Sequence, residues 1–290
     1  MSEYAMTIRK LFGEGDAKRN AGMTTPDNVT RYDDISYGEE EPKWQKLDVY
    51  RPKGVEGKLP VILNVHGGGW VYGDKEVYQY YCMSLAQRGF AVVNCSYRLA
   101  PEYKYPSSFE DISTVSTWII EHQEEYGFDV DHIFGVGDSA GGHMLSLYAC
   151  ALTNPAYKAD FTLPKNFMFK AIALNCGAYH LSNEEGKKEQ LMEEFMPKGG
   201  TDEELAHISS YQYVTEAFPP TFIMTCPGDF LKEAPTEMVS SLKEQGVPFI
   251  YRYYGSKANP LTHVFHCNIV LPEATLCNDE ECNFFKTFCM

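Results

Sequence analysis

No apolar run in this chain approaches the roughly 18 residues that a membrane-spanning helix requires. The N-terminal stretch MSEYAMTIRKLFGEG also lacks the basic-then-apolar order and small-residue cleavage site of a secretory signal. Basic side chains are scarce: 25 Lys and Arg against 40 Asp and Glu leave the 290 residues at −15. No basic block offsets that balance, which excludes nucleic acid as a principal partner; the acidity itself names no partner and reads as solvated surface. There is no C-x-x-C pair, and the grouping of Cys277, Cys282 and Cys289 does not have the spacing of a structural zinc site, so no metal is expected. The nine cysteines are an odd number, and several lie inside apolar runs such as AVVNCSY and TFIMTCP, where a thiol behaves as a small buried hydrophobe. A reduced, cytoplasmic chain with no membrane association is the expectation. Repeats, low-complexity segments and Pro/Gly/Ser-rich linkers are absent too, so residues 1–290 read as one domain.

What is present is a regular alternation. From about residue 60, short β-rich apolar runs (VILNVH, FAVVNCSY, IFGVG, FKAIALNC, TFIMTC, PFIYRYY) are separated by amphipathic stretches such as SSFEDISTVSTWIIEHQEEY. Strands that are apolar throughout are buried on both faces, so the pattern predicts an α/β fold with a mainly parallel sheet between helices. The alternation lapses between Gly177 and Pro220, where a charged stretch containing NEEGKKEQLMEEF and the capping-box pattern Thr201-x-x-Glu204 replaces the next strand. An insertion above the sheet is expected there, with a lid as its natural use. Cap elements are therefore expected at about 178–215, with about 1–30 packed beside them.

The sharpest local signal is Gly137-Asp138-Ser139-Ala140-Gly141-Gly142, a G-x-S-x-G pattern between the strand-like IFGV and a helical run. A serine on so sharp a strand-to-helix turn needs small neighbours, and the turn aims it at a helix N-terminus where negative charge is favoured. A second signal, His66-Gly67-Gly68-Gly69-Trp70, directly follows the strand VILNV. Its glycines let backbone N–H groups approach a ligand, as an oxyanion requires; no G-x-x-x-x-G-K-[ST] pattern makes it a phosphate loop. His66 is expected to hold this loop by hydrogen bonds rather than act as a base.

Together these motifs, with SYRLAPE at 96–102, PGDFL at 227–231 and THVFH at 262–266, resemble the hormone-sensitive-lipase-like, HGGG-type family of α/β-hydrolase carboxylesterases. The resemblance spans most of the chain from about residue 45. It implies an α/β-hydrolase fold with a mainly parallel sheet of about eight strands, a helical cap, no metal or other cofactor, and hydrolysis of short-chain, acetyl-type esters. In such a chain the acid and the histidine follow the serine. Asp229 comes at the end of the run TFIMTC, where open α/β sheets collect functional groups; capping the next helix is its other use. The resemblance selects it as the acid, because the family places that residue in a D-x-L segment. Two histidines remain downstream, His263 and His266, and the H-x-F pattern of the family matches His263.

The expected machinery is then Ser139 as nucleophile, His263 as base and Asp229 as its orienting acid. The backbone N–H groups of Gly67, Gly68 and Ala140 form the expected oxyanion hole, and Trp70 and Tyr72 line the substrate site or simply pack. The expected partner is a small-molecule ester, and a homodimer is compatible with the sequence. An amidase or peptidase on the same fold and an inactive binding protein are the alternatives.

Overall fold

In the computed structural model, residues 2–39, 43–183 and 189–289 are described; part of the charged NEEGKKEQ stretch, residues 184–188, lies outside them. Eight strands form one sheet: β1 (Val29–Ser36), β2 (Lys46–Pro52), β3 (Leu59–Val65), β4 (Ala91–Cys95), β5 (Phe128–Asp138), β6 (Ala171–Asn175), β7 (Thr221–Thr225) and β8 (Phe249–Tyr253). Their spatial order is β1-β2-β4-β3-β5-β6-β7-β8. The pairs β1–β2 and β2–β4 are antiparallel, and every pair from β4–β3 to β7–β8 is parallel. This is the mainly parallel α/β-hydrolase sheet that the apolar runs and the motifs predict.

The helices are α1 (Glu3–Asn20), α2 (Lys75–Ala86), α3 (Ser107–Glu121), α4 (Gln123–Tyr126), α5 (Ala140–Thr153), α6 (Gln190–Phe195), α7 (Asp202–Ile208), α8 (Pro235–Glu244) and α9 (Pro272–Lys286). Central strands buried at every residue, such as AVVNC and AIALN, send alternate side chains to two separate cores. On one face Val93 and Leu174 join Phe109 and Ile112 of α3, Leu145 of α5 and Met238 of α8. On the other, Val92, Phe134 and Ala173 join Tyr81 and Met83 of α2 and Cys282 and Phe285 of α9. Eight of the nine cysteines are buried and unpaired, Cys289 being half-buried. The thiols thus serve as small core residues, as their apolar contexts suggest.

Where the alternation lapses, α6, α7 and a 3-10 turn at Ser210–Tyr213 stand between β6 and β7. The capping box forms as its residues predict: Glu204 N–H reaches Thr201 Oγ1, and the Glu204 carboxylate accepts from Thr201 N–H. Helix α1 is poorly amphipathic and is fastened by polar contacts instead. Arg9 donates to Val71 O and Ala100 O and pairs with Glu102 at 2.6 Å. At the other end Arg19 and Asn20 both donate to Val77 O. No described helix is long and apolar enough to cross a membrane.

Candidate active site

Parallel strands deliver their outgoing loops to one edge, and the register decides which loops meet. Val65 at the end of β3 lies beside Gly137 of β5, and Asp138 lies beside Asn175 of β6. The glycine loop after β3 therefore abuts the serine turn after β5. Ser139 sits on that turn at φ 51°, ψ −120°, a conformation non-glycine residues rarely adopt, with its N–H donating to Asn175 O. A Cβ on Gly141 would stand 2.0 Å from Val65 O, so the close approach of turn and strand end requires glycine there.

Asp229 leaves the end of β7, and the segment after β8 runs beside it through the Gly228–Thr262 bridge. His263 is thereby brought to Asp229, with Nδ1 2.6 Å from Oδ1. The carboxylate also accepts from Leu231 N–H at 2.8 Å and from the Thr225 hydroxyl at 2.6 Å. Burial alone would raise its pKa, yet these bonds and the adjacent imidazole hold the carboxyl below the ordinary aspartate value. His266 takes no part. It is fully buried, burial pushes its pKa down to about 3, and its neighbours are Tyr81 and Cys267.

One cavity of about 1050 Å³ is lined by Ser139, His263, Ala140, Gly67, Gly68, Gly69, Trp70 and Tyr72. All the sequence-expected residues but Asp229, which is buried and reaches the cleft through His263, thus line a single cleft, and Gly67 requires a correction. Its N–H is already engaged, donating to Tyr78 Oη at 3.0 Å and Asp138 Oδ1 at 3.2 Å, so it is not available to an oxyanion. Among the described residues the N–H groups of Gly68, Gly69 and Ala140 have no acceptor in the protein. Gly68 holds φ +125° with Tyr72 O 2.0 Å from where a Cβ would be, which only glycine permits. Trp70 is anchored more than exposed: its ring stacks on Phe195, and its indole N–H donates to His143 Nδ1 at 3.1 Å. Tyr72 meets Phe12 edge-on and lies beside Asp16.

His66 stacks on Tyr97 with 4.0 Å between ring centroids, and its Nδ1 lies 2.7 Å from Gly67 O. Burial lowers its pKa to about 4, so it is a neutral brace for the loop. Three functional surroundings escape the motif reading. Tyr78 of α2 donates to Asp138 Oδ2 at 2.8 Å, and burial lifts the Asp138 carboxyl to about 6. Asp16 and Arg19 of α1, paired at 2.6 Å, line the cavity wall. Phe230 stands beside His263, its ring centroid 4.2 Å away. Only the D-x-L pattern hinted at the last, by placing it next to the acid.

Two trios of donor side chains, Asp138–His266–Cys267 and Cys176–Asp229–His263, gather within 4.8 Å. Burial drives the pKa of both thiols well up, and in the second trio Asp229 and His263 are already bonded to each other.

The sheet order and the cleft at its C-terminal edge are those of the α/β-hydrolase fold, and the relatives of the chain place it among the carboxylic ester hydrolases of that class. The chain belongs to the BD-FAE family, whose model matches residues 47–241, within the hormone-sensitive-lipase-like carboxylesterases. It is similar to the versiconal hemiacetal acetate esterase of Dothistroma septosporum, 26% identical over 80% of this chain and 74% of that protein. The ethyl acetate hydrolase of Pseudomonas putida is 31% identical over 49% of this chain, a match that spans only 44% of that protein. In structure it resembles esterase B of Lactobacillus rhamnosis inhibited by a tributyrin phosphonate, with a TM-score of 0.86 at 26% identity, covering 99% of this chain and 96% of the other.

Proposed function

We propose that the protein hydrolyses short-chain, acetyl-type carboxylic esters through an acyl-enzyme on Ser139. The observation that carries this reading is the 2.6 Å Asp229–His263 pair facing the same cavity as Ser139, whose turn adjoins backbone amides with no acceptor in the protein. In this mechanism Ser139 Oγ attacks the ester carbonyl while His263 Nε2 takes its proton. The developing oxyanion is received by the N–H groups of Gly68, Gly69 and Ala140, each worth roughly 2.7–4 kcal/mol when well aimed. The ester C–O bond then breaks, and the proton on His263 passes to the departing alkoxide. Water, deprotonated by His263, attacks the acyl-enzyme and restores Ser139. Asp229 holds the imidazole with Nδ1 protonated and stabilises the imidazolium.

The acetyl preference draws support from the printed names of two relatives, an acetate esterase and an ethyl acetate hydrolase. Helices α1 and α6 supply Leu11, Phe12 and Leu191 to the cavity wall, which supports a cap built from the N-terminal helix and the insertion. Ser139→Ala should lower kcat on p-nitrophenyl acetate by roughly 10³-fold or more with the melting temperature preserved; a variant that keeps most of its activity refutes the assignment. Covalent labelling by a fluorophosphonate, absent in the Ala variant, separates an active site from a dead one. A matched acetate ester and acetamide separate esterase from amidase. Rates that rise from acetyl toward octanoyl p-nitrophenyl esters refute the short-chain preference.

A further inference from the structure

Phe230 is 74% exposed, the most exposed of the large apolar side chains that stand out from the surface. Nothing about folding asks for an aromatic ring there, since it fills no core. Its backbone nevertheless is held on both sides. Gly228 N–H donates to Leu261 O at 2.9 Å, Asp229 N–H to Cys226 O at 3.1 Å, and Leu231 N–H to the Asp229 carboxylate. The ring stands on the cavity wall, 4.2 Å from the His263 ring and tilted 40° to it. An aromatic face on a hydrogen-bonded turn that is mostly open to solvent suits a ligand surface rather than an interior one.

The reaction geometry says which part of a substrate meets it. Resting on the mechanism proposed above, His263 Nδ1 is committed to Asp229, so Nε2 alone delivers the proton to the departing alkoxide. That oxygen must come within about 3 Å of Nε2, and the group it carries then lies beside the imidazole, where Phe230 stands. The acyl carbonyl is held on the other side, at Ser139 and the backbone amides. A cavity of about 1050 Å³ is also far larger than ethyl acetate would fill.

We propose that Phe230 is an aromatic platform for the alcohol part of the substrate, and that the alcohol carries a flat aromatic ring on or next to the ester oxygen. The ring of an aryl or arylmethyl ester stacks offset or edge-on against Phe230 while the ester carbonyl sits over Ser139. The acyl side is unaffected by this contact, so an acetyl preference and an aromatic alcohol are compatible.

The test compares benzyl, n-hexyl and ethyl acetate as substrates of the wild type, Phe230→Ala and Phe230→Tyr. Dividing variant by wild-type kcat/KM for each ester cancels the intrinsic reactivity of the leaving group. Phe230→Ala should lose about three- to tenfold more on benzyl acetate than on either alkyl acetate, the worth of one aromatic contact, and Phe230→Tyr should recover most of that difference. An equal loss on benzyl and hexyl acetate, or no difference among the three, overturns the proposal. So does a displaced pH profile of kcat/KM on ethyl acetate, which would mean that the ring acts by propping His263. Failure of the underlying mechanism looks different, because Ser139→Ala would then hydrolyse all three esters at wild-type rates.

Discussion

Replacing Tyr78 with Phe removes one oxygen from the joint that fixes the glycine loop, and the structure gives the size of the effect. The Tyr78 hydroxyl accepts from Gly67 N–H at 3.0 Å and donates to Asp138 Oδ2 at 2.8 Å, and both side chains are buried. Its loss leaves the buried Asp138 carboxylate with one fewer donor and Gly67 N–H with only the longer 3.2 Å contact to Asp138. Hydrogen bonds to charged groups contribute about 1.5–3 kcal/mol, and a domain approaching this size loses roughly 2–4 °C of melting temperature per kcal/mol, so a fall of about 3–12 °C is expected. Gly68 and Gly69 follow directly, so the amides proposed to meet the oxyanion lose precision without being removed. Complete loss of such a donor costs about 10²–10³ in kcat; loosening it should cost about tenfold, with KM little changed. A second readout has a defined sign. The Tyr78 bond favours charged Asp138, so without it the carboxyl rises further above about 6, and the acid limb of kcat moves to higher pH. Kinetics on p-nitrophenyl acetate from pH 5 to 8, beside thermal unfolding, decide the matter. Wild-type kcat with a lowered melting temperature would reduce the joint to packing, and unchanged values of both would refute the reasoning outright.

Two further substitutions test the buried carboxyls. Asp229→Asn removes the charge that stabilises the imidazolium; because Leu231 N–H and His263 Nδ1 share Oδ1, the amide either keeps its oxygen there without that charge or turns its N–H₂ to His263 and strands Leu231 N–H. On either course kcat should fall by roughly 10²–10⁴-fold, and retention of a tenth of the activity would remove Asp229 from the mechanism. Glu281 of α9, bonded to Asn175 at 2.7 Å, is fully buried, and burial raises its pKa to about 7. The folded state then binds the proton more tightly than the unfolded chain, so this group's contribution to stability is present below the ordinary glutamate value of about 4.3 and is lost as pH rises to about 7. Glu281→Gln should flatten that dependence, giving melting temperatures at pH 5.5 and pH 8 closer together than in the wild type; parallel curves for the two proteins would refute the assignment.

The features legible in the sequence are those whose cause is local. Short, β-rich apolar runs that alternate with longer amphipathic stretches read as strands buried on both faces, so AVVNC and AIALN announced β4 and β6. The crowding around Ser139 is written in the glycines beside it, and the order serine, aspartate, histidine follows from how the α/β-hydrolase sheet is threaded. Whether a particular backbone amide points into the cleft or away from it is not local. Gly67 N–H turns inward because Tyr78, eleven residues on, and Asp138, on a strand paired with β3, present oxygens to it. In the sequence Tyr78 is one aromatic among several in EVYQYY. Phe230 was equally silent, since a D-F-L segment does not say that the phenylalanine faces solvent.

The glycine loop is held at two joints of different electrical character, and this decides where its behaviour changes with pH. At one joint Trp70 donates to Nδ1 of His143 in α5, and His143 Nε2 lies 2.8 Å from Ile208 O at the end of α7. Only the tautomer with a proton on Nε2 satisfies both contacts, and burial lowers the His143 pKa to about 4, so this joint stays neutral and intact across the pH range of ester hydrolysis. At the other the Asp138 carboxylate accepts from Tyr78 and Gly67 and gains a proton as pH falls through about 6. A protonated carboxyl is a poorer acceptor for the Gly67 amide. Acid therefore loosens the loop where it meets α2, while its tie to His143 persists. His143 stands one turn after Ser139 in α5, so its joint fastens Trp70 to the nucleophile's own helix, and the acid-sensitive end of the loop is Gly67, where it meets α2.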